Sequence, residues 1–395
     1  MRDFSQYNIA DLRRYVSAEN FGLILDNTNA RYNEAIWRRY ADWGTPSNSK
    51  EWIQGQKETP ILVRASVLGT HSEKPQRNGE GWKYYGGSIM KMGHGFSIDE
   101  DDLFKIRQNR DLTQVPYAIL MTETVQDKSN DMIGGVHAEL NYVTLQALST
   151  GQINEVSVDG VKYDYKFPIK DNHYMSVSKP WFTQDAKTGK LTADESADPI
   201  QDLLDAQEYY TNDLLLAVDH WKISKELFDK LVKHPAVVKS CVARANFFHP
   251  ENVHLTTKEV MAYVHEQGVW PFDVIDYKSR HEEDGLAIPD KPAFDEHNIV
   301  AANSRIVPFE MKCTNSIYID RQNMGGIANN HKYFLVEGRI MVLSSTEERP
   351  FKNVVDCELY AAPVFNNIRE IGFLTVWKDA AKTSGSTGTS TGTGE

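Results

Sequence analysis

DMIGGVHAELNYVTLQALST, residues 131 to 150, decides how the chain is read. Its apolar residues Ile133, Val136, Leu140, Val143 and Ala147 recur three and four apart, the spacing of one face of a long helix. Gly151 follows at once and suits a helix C-cap, where the chain turns through a conformation that a Cβ disfavours. His137 and Glu139 are two residues apart and point to different faces, so they make a poor catalytic or metal-binding pair and read as solvated or interface polar groups. Beyond the helix, VSVDGVKYDYKFPI (Val156 to Ile169) alternates around Asp159-Gly160, the strongest short-range hairpin pattern in the sequence.

On the N-terminal side, TPILVRASVLGTHSEKPQRNGEGWKYYGGSIMKMGHGFSIDEDDLFKIRQNR (Thr59 to Arg110) does not read like the interior of a compact domain. Ile61 to Leu68 is a β-prone apolar run, and Ser88 to Ile98 is a looser one that would return antiparallel to it. Between Gly69 and Gly95 stand seven glycines with Lys74, Arg77, Lys83 and Lys91, and the only large apolar surface is aromatic: Trp82, Tyr84 and Tyr85. Glycine raises the cost of ordering a strand and a lone two-stranded ribbon is marginal, so the segment needs another surface. Two readings stay open from these residues alone. One is a mobile surface hairpin or active-site lid; the other is an arm that orders on a neighbouring subunit through its aromatic residues. Ser97-Ile98-Asp99-Glu100 then fits a capping box, which puts the acidic run Asp99 to Asp102 at a helix N-terminus and not in a metal loop.

The chain has 395 residues, 41% hydrophobic and 25% charged, enough for two or three domains. No run of eighteen apolar residues occurs, and MRDFSQYNIADLRRYV lacks the pattern of a secretory signal, so no membrane partner is expected. Cys241, Cys313 and Cys357 are odd in number and widely spaced, which suggests buried thiols, not a disulfide framework or zinc site. A net charge of -12 without a polybasic tract argues against a surface that grips nucleic acid.

Asp11 to Asp26 and Tyr32 to Ala41 look like short helical pieces, and WGTPSNSK (Trp43 to Lys50) is a loop, making the first 50 or so residues an N-terminal arm or subdomain. Lys179 to Pro199 has the composition of a domain crossing. Helices are expected at Ile200 to Tyr210, Lys222 to Lys233 and Thr256 to Gln267, and strands at Leu214 to Val218, Pro271 to Tyr277 and Asn298 to Val307. Further strands follow at Ser316 to Ile319, Tyr333 to Val336, Ile340 to Leu343, Val354 to Leu359 and Ile371 to Trp377, with a turn at Ala361 to Asn367 before the last. TSGSTGTSTGTGE (Thr383 to Glu395) has nothing to bury and reads as a disordered tail.

Catalytic signatures fail in turn. Gly81 to Gly86 has the first spacing of a phosphate loop, but Gly87-Ser88 stands where Lys and Ser or Thr are needed. No GxSxG elbow and no HExxH helix occurs. His234, His249 and His254 lie at turns, and His281-Glu282-Glu283-Asp284 adjoins Gly285 and reads as a solvated loop. Trp181, Trp221, Trp270 and Trp377 are expected to pack in a core or interface. No catalytic, cofactor-binding or metal-binding residue is assigned.

Several segments in order resemble the major capsid proteins of tailed double-stranded DNA phages, of the lambda E type. They are HAELNYVTLQALSTGQI (His137 to Ile153), VKYDYKFPI and then Trp181, LFDKLVKHPAV (Leu227 to Val237), VIDYKSRHEEDG (Val274 to Gly285) and AAPVFNNIREIGFLTVW (Ala361 to Trp377). The N-terminal segment and the Gly and Thr tail match nothing in that pattern.

The resemblance implies an α+β, HK-ninety-seven-like capsid fold. It implies an N-terminal arm at 1–58, an extended loop at 59–97, a peripheral domain at 98–198 with a spine helix at 131–150, an axial domain at 199–345, closing peripheral strands at 346–381 and a disordered tail at 382–395. The implied function is structural, without enzymatic activity or cofactor: copies assemble as pentamers and hexamers into an icosahedral head around double-stranded DNA. Scaffold, portal and decoration proteins are the implied partners, the virion is the final location and the host cytoplasm the place of assembly. Within the loop, Lys74, Arg77, Trp82, Tyr84, Tyr85 and Lys91 are the expected inter-subunit contacts. A shell of the same fold enclosing cargo enzymes, and a hydrolase with a glycine-rich lid, are the alternatives.

Overall fold

The computed structural model describes residues 18–57, 82–113, 117–185, 188–244, 255–283, 286–320, 331–348 and 351–379. The expected strand at Ile61 to Leu68, the Asp284-Gly285 turn, His249, His254 and the C-terminal tail lie outside these residues. Two compact units divide the chain, each built from separate stretches: 1–168, 278–293 and 305–368 in the first, and 169–277, 294–304 and 369–395 in the second.

The first unit is built on two long elements. The helix Tyr117–Thr150 has 34 residues and so runs about 51 Å; the strand Phe351–Phe365 has 15 and spans about 50 Å. The strand carries partners on both edges. Met90–Asp99 pairs antiparallel along one edge, and Ile340–Glu348 and Phe309–Thr314 divide the other. His331–Val336 and Ala41–Trp43 complete the six-stranded sheet. The helix packs across Met90–Asp99 and Phe351–Phe365, burying Ile133, Val136, Leu140, Val143 and Ala147. Gly151 closes it at φ 69°, its N–H donating to the Ala147 carbonyl.

Part of the stretch expected to be an N-terminal arm or subdomain packs into this unit. Phe21 and Leu25 on the helix Ala18–Ala30, and Trp37, Tyr40 and Ala41 after it, are buried. The expected helix at Tyr32 to Ala41 is only a 3-10 turn, Ile36–Arg39, running into the first strand of the sheet. His137, expected on a solvated or interface face, is the hub that locks this stretch down. Its Nδ1 accepts from the Trp37 indole N–H at 3.1 Å, which leaves Nε2–H to donate to Asn29 Oδ1 at 2.9 Å. Tyr32 stacks on the imidazole at 4.8 Å. Burial, aided by the field of Arg38, pushes His137 down to about 4, so it is neutral. Glu337 extends the lock. Its carboxylate takes both forks of Arg38 at 2.9 and 2.7 Å and the Trp43 indole N–H at 3.0 Å. The helix admits Tyr32 through Gly134, where a Cβ would stand 2.4 Å from the tyrosine hydroxyl.

The second unit is a five-stranded sheet in the order Phe272–Ile275, His220–Ser224, Asn298–Ala302, Ile371–Thr375, Tyr174–Ser176. Its core gathers Trp181, Trp221, Trp377, Leu203, Leu231 and Val260. Among the described residues the helices Pro199–Glu208, Lys225–Val232, Pro235–Arg244 and Thr257–Glu266 accompany the sheet. Thr256 and Glu259 form a full capping box on the last.

Several boundaries differ from expectation for local reasons. Asp99, not Ser97, caps the helix Glu100–Thr113, its carboxylate accepting from the Asp102 N–H at 2.9 Å. The strand expected at Leu214 to Val218 falls at His220–Ser224, which takes the start of the helix expected from Lys222, and Ser224 becomes that helix's cap. Ser316 to Ile319 is a turn; the strand there is Phe309–Thr314. The turn expected at Ala361 to Asn367 begins only after Phe365, because Ala361 to Phe365 are still paired with Phe309 to Cys313. The chain passes between the two units near residue 168; strands between 309 and 345 lie in the first unit, and Ile371–Thr375 lies in the second.

Candidate assembly interface

Glu51–Lys57 and Trp82–Ser88 form a two-stranded antiparallel ribbon in register from Glu51↔Ser88 to Lys57↔Trp82. The pairing expected from the sequence was Ile61 to Leu68 with Ser88 to Ile98, and the first of these stretches lies outside the described residues. The structure instead pairs Trp82–Ser88 with the stretch after the WGTPSNSK loop, and Met90–Asp99 enters the sheet. Residues 58–81 connect the far ends of the ribbon.

Side chains alternate across a ribbon, and opposed residues share a face. On the inner face, Trp52 is buried and begins a run of rings. It meets Tyr165 at 5.1 Å, Tyr165 meets Phe167 at 4.9 Å, Phe167 meets Phe365 at 4.8 Å, and Phe365 meets Phe309 at 4.2 Å. Gly87 makes this possible, since a Cβ there would lie 3.1 Å from both the Trp52 and Tyr165 rings. Tyr85 belongs to the same face. Its hydroxyl donates to the Phe365 carbonyl at 3.0 Å, its ring meets Trp52 edge-on at 5.8 Å, and burial raises its pKa. The outer face is the reverse: Ile53 is 72% exposed and Tyr84 70% exposed.

Beside the ribbon stands the hairpin Gln152–Val156 and Lys162–Lys166. Its tip is tied by three hydrogen bonds: Ser157 N–H to the Val161 carbonyl at 2.8 Å, Val161 N–H to Ser157 Oγ at 3.0 Å and Gly160 N–H to the Ser157 carbonyl at 2.8 Å. Gly160 sits at φ 78° as the turn requires. The tip is nevertheless apolar: Val156 and Val161 are more than half exposed and Val158 is wholly exposed. Between the ribbon base and this hairpin lies a cleft of about 210 Å³ whose walls include Trp52, Met90, Ile153, Tyr163, Tyr165 and Pro363.

Electrostatically, the hairpin side of the helix carries a carboxylate group. Burial, reinforced by Glu155 and Asp290, pushes Glu139 up to about 7, and burial raises Glu155 as well. Among the described residues no group of three or more His, Cys, Asp or Glu side chains could hold a metal ion, and no helix is long and apolar enough to cross a membrane. Cys241, Cys313 and Cys357 are buried thiols.

The expected contact residues separate into three sets. Lys74 and Arg77 lie outside the described residues, and Trp82 is placed only by its ladder position opposite Lys57. Tyr85 and Lys91 are engaged within their own chain. Lys91 pairs with Glu358 at 2.7 Å and lies 5.5 Å from the centre of the Tyr360 ring. Tyr84 lies on the outer face of the ribbon and is 70% exposed. Ile53, Val156, Val158 and Val161 were not singled out in the sequence, although valines flanking an Asp-Gly turn are a visible departure from the usual polar tip.

The sequence profile of the family described as phage major capsid protein E matches residues 32–252, more than half of the chain. The chain belongs to that family. It is therefore a major capsid protein, a structural component of a phage head, with an α+β architecture. No curated protein matches the sequence. Among solved structures, this capsid protein is similar to a phage-related protein of Bordetella bronchiseptica, with a TM-score of 0.44 and 12% identity over 90% of this chain and 96% of that one. It is also similar to the capsid of Myoviridae phage XM1, with a TM-score of 0.42 and 10% identity over 86% and 91%. The mature capsid of bacteriophage PhiM1 gives 0.41 and 10% over 86% of each chain.

Proposed function

We propose that this capsid protein assembles as pentamers and hexamers into an icosahedral head around double-stranded DNA, and that the ribbon with residues 58–81 is the arm that each copy lays on a neighbour. The observation that carries this is the two-sidedness of the ribbon. Its inner face is fixed to its own chain by Trp52 and Tyr85, while its outer face leaves Ile53 and Tyr84 in water. Removing such apolar area from water favours association, and aromatic anchors dominate interfaces. Lys74, Arg77 and Trp82 are the further contacts on this arm. The unit with the long helix takes the peripheral role and the second unit the axial role, meeting its copies around the capsomer centre.

A net charge of -12 suits a wall that confines DNA without binding it, so that genome can be packed and released. Scaffold and portal proteins, with a decoration protein on the finished head, are the partners of assembly in the host cytoplasm. Tyr84→Ala and Trp82→Ala are expected to leave the subunit folded, with an unchanged melting temperature, and to lower the yield of particles seen by negative stain at least tenfold. Normal particle yield in both variants would sink the arm. Nucleic acid inside native particles distinguishes a phage head from a cargo-enzyme shell.

A further inference from the structure

We infer that His297 is a clasp that fastens the C-terminal end of the chain to the sheet of the second unit. The ladder between Asn298–Ala302 and Ile371–Thr375 ends at Asn298↔Thr375, and the clasp lies just beyond it. Nδ1 of His297 lies 2.5 Å from Asp295 Oδ1, and Nε2 lies 3.1 Å from Asp379 Oδ1. Both partners are carboxylate oxygens, which accept and do not donate, so both ring nitrogens carry a hydrogen and the ring is an imidazolium. The Trp377 ring stands 4.1 Å away, centre to centre, where an aromatic face favours a cation.

Neighbouring groups hold the parts in place. Asp295 also accepts from the His297 backbone N–H at 2.9 Å and from Asn298 Nδ2 at 3.1 Å, which fixes its carboxylate beside the ring. From the other side, the Val376 N–H donates to the His297 carbonyl at 2.9 Å and the Trp377 indole N–H to the Glu296 carbonyl at 2.8 Å. Of the other charges nearby, Glu296 faces Glu226 and Lys230 of the helix Lys225–Val232, 3.5 Å from the lysine, and Lys378 is exposed. The hydrogen bond to Asp295 outweighs burial, and with the charge of Asp295 and the contact with Asp379 it holds the His297 imidazole up at about 9. The ordinary value is 6.5. The stability the clasp supplies is therefore full below that value and is lost as pH rises through about 9. A neutral ring keeps one N–H and holds one carboxylate. Asp379 is the one released, because its bond is the longer and its side chain is 68% exposed against 26% for Asp295.

The test uses the full-length chain with isotope-labelled histidine, in which the magnetic resonance signal missing from His297→Gln identifies His297 among the twelve histidines. Its expected titration midpoint is about 9 in wild type and lower in Asp379→Ala, which removes an exposed side chain and should keep the wild-type melting temperature. Subtilisin then reads the release. Cleavage between Val376 and Ala380, resolved by mass and divided by the rate for an unfolded peptide of the same sequence, should be about tenfold faster or more in wild type at pH 10 than at pH 7. Asp379→Ala should show the faster cleavage already at pH 7. A wild-type midpoint near the ordinary value, a midpoint that Asp379→Ala leaves unmoved, wild-type cleavage that does not rise with pH, or equal cleavage of wild type and Asp379→Ala at pH 7 would each overturn the clasp.

Discussion

His137 and Glu139 titrate in opposite senses two residues apart on one helix. His137 falls from its ordinary 6.5 to about 4. Between those values the unfolded chain takes a proton that the folded chain refuses, so stability drops as pH falls through that window. Glu139 rises from 4.5 to about 7. Between these values the unfolded chain releases a proton that the folded chain keeps, so stability drops as pH rises. Each shift is worth at most about 3 kcal/mol, and the two largely offset between pH 4.5 and 6.5. Glu139→Gln is expected to match wild type at pH 4 and to exceed it by up to about 3 kcal/mol at pH 8 in urea titrations. Parallel curves for the two proteins across that range would contradict the buried carboxyl.

The sequence could place both residues on the helix but not assign their surroundings. Asn29 and Trp37 reach His137 from about 100 positions away, and no local pattern records that meeting.

At the scale of elements, the ribbon depends on Trp52. Trp52→Ala removes the first ring of the run to Phe309 and should cost about 3–5 kcal/mol, seen as a lower melting temperature of the isolated subunit. Ile53→Ser, on the opposite face, should leave that temperature within a degree or two and act on assembly alone. Equal melting temperatures for Trp52→Ala and Ile53→Ser would contradict the two-sided ribbon. The same elements mark what local pattern can convey. The helical face from Ile133 to Ala147 and the Asp159-Gly160 hairpin were legible because burial and turn chemistry repeat at a fixed period. Residues 117–130, YAILMTETVQDKSN, lack that clean period, so the helix was seen at little more than half its length. Phe309–Thr314 went unseen because FEMKCT owes its strand to partners on either side, Ala41–Trp43 and Phe351–Phe365.

For the whole molecule, the division into two units was harder to read than any element. The chain leaves the second unit at residue 277, returns at 294 and leaves again at 304, and these crossings are set by which sheet each strand joins. The ordered resemblance of separated segments did carry the family, because those segments keep their sequence spacing while single motifs stay weak. What remains is the claim that copies of this chain complete one another. Electron microscopy of the purified wild-type chain beside Tyr84→Ala, at matched concentration, measures it directly. The expected result is closed shells of uniform diameter from wild type and folded, unassembled subunits from the variant; a small soluble oligomer from both, or equal shells from both, would contradict it.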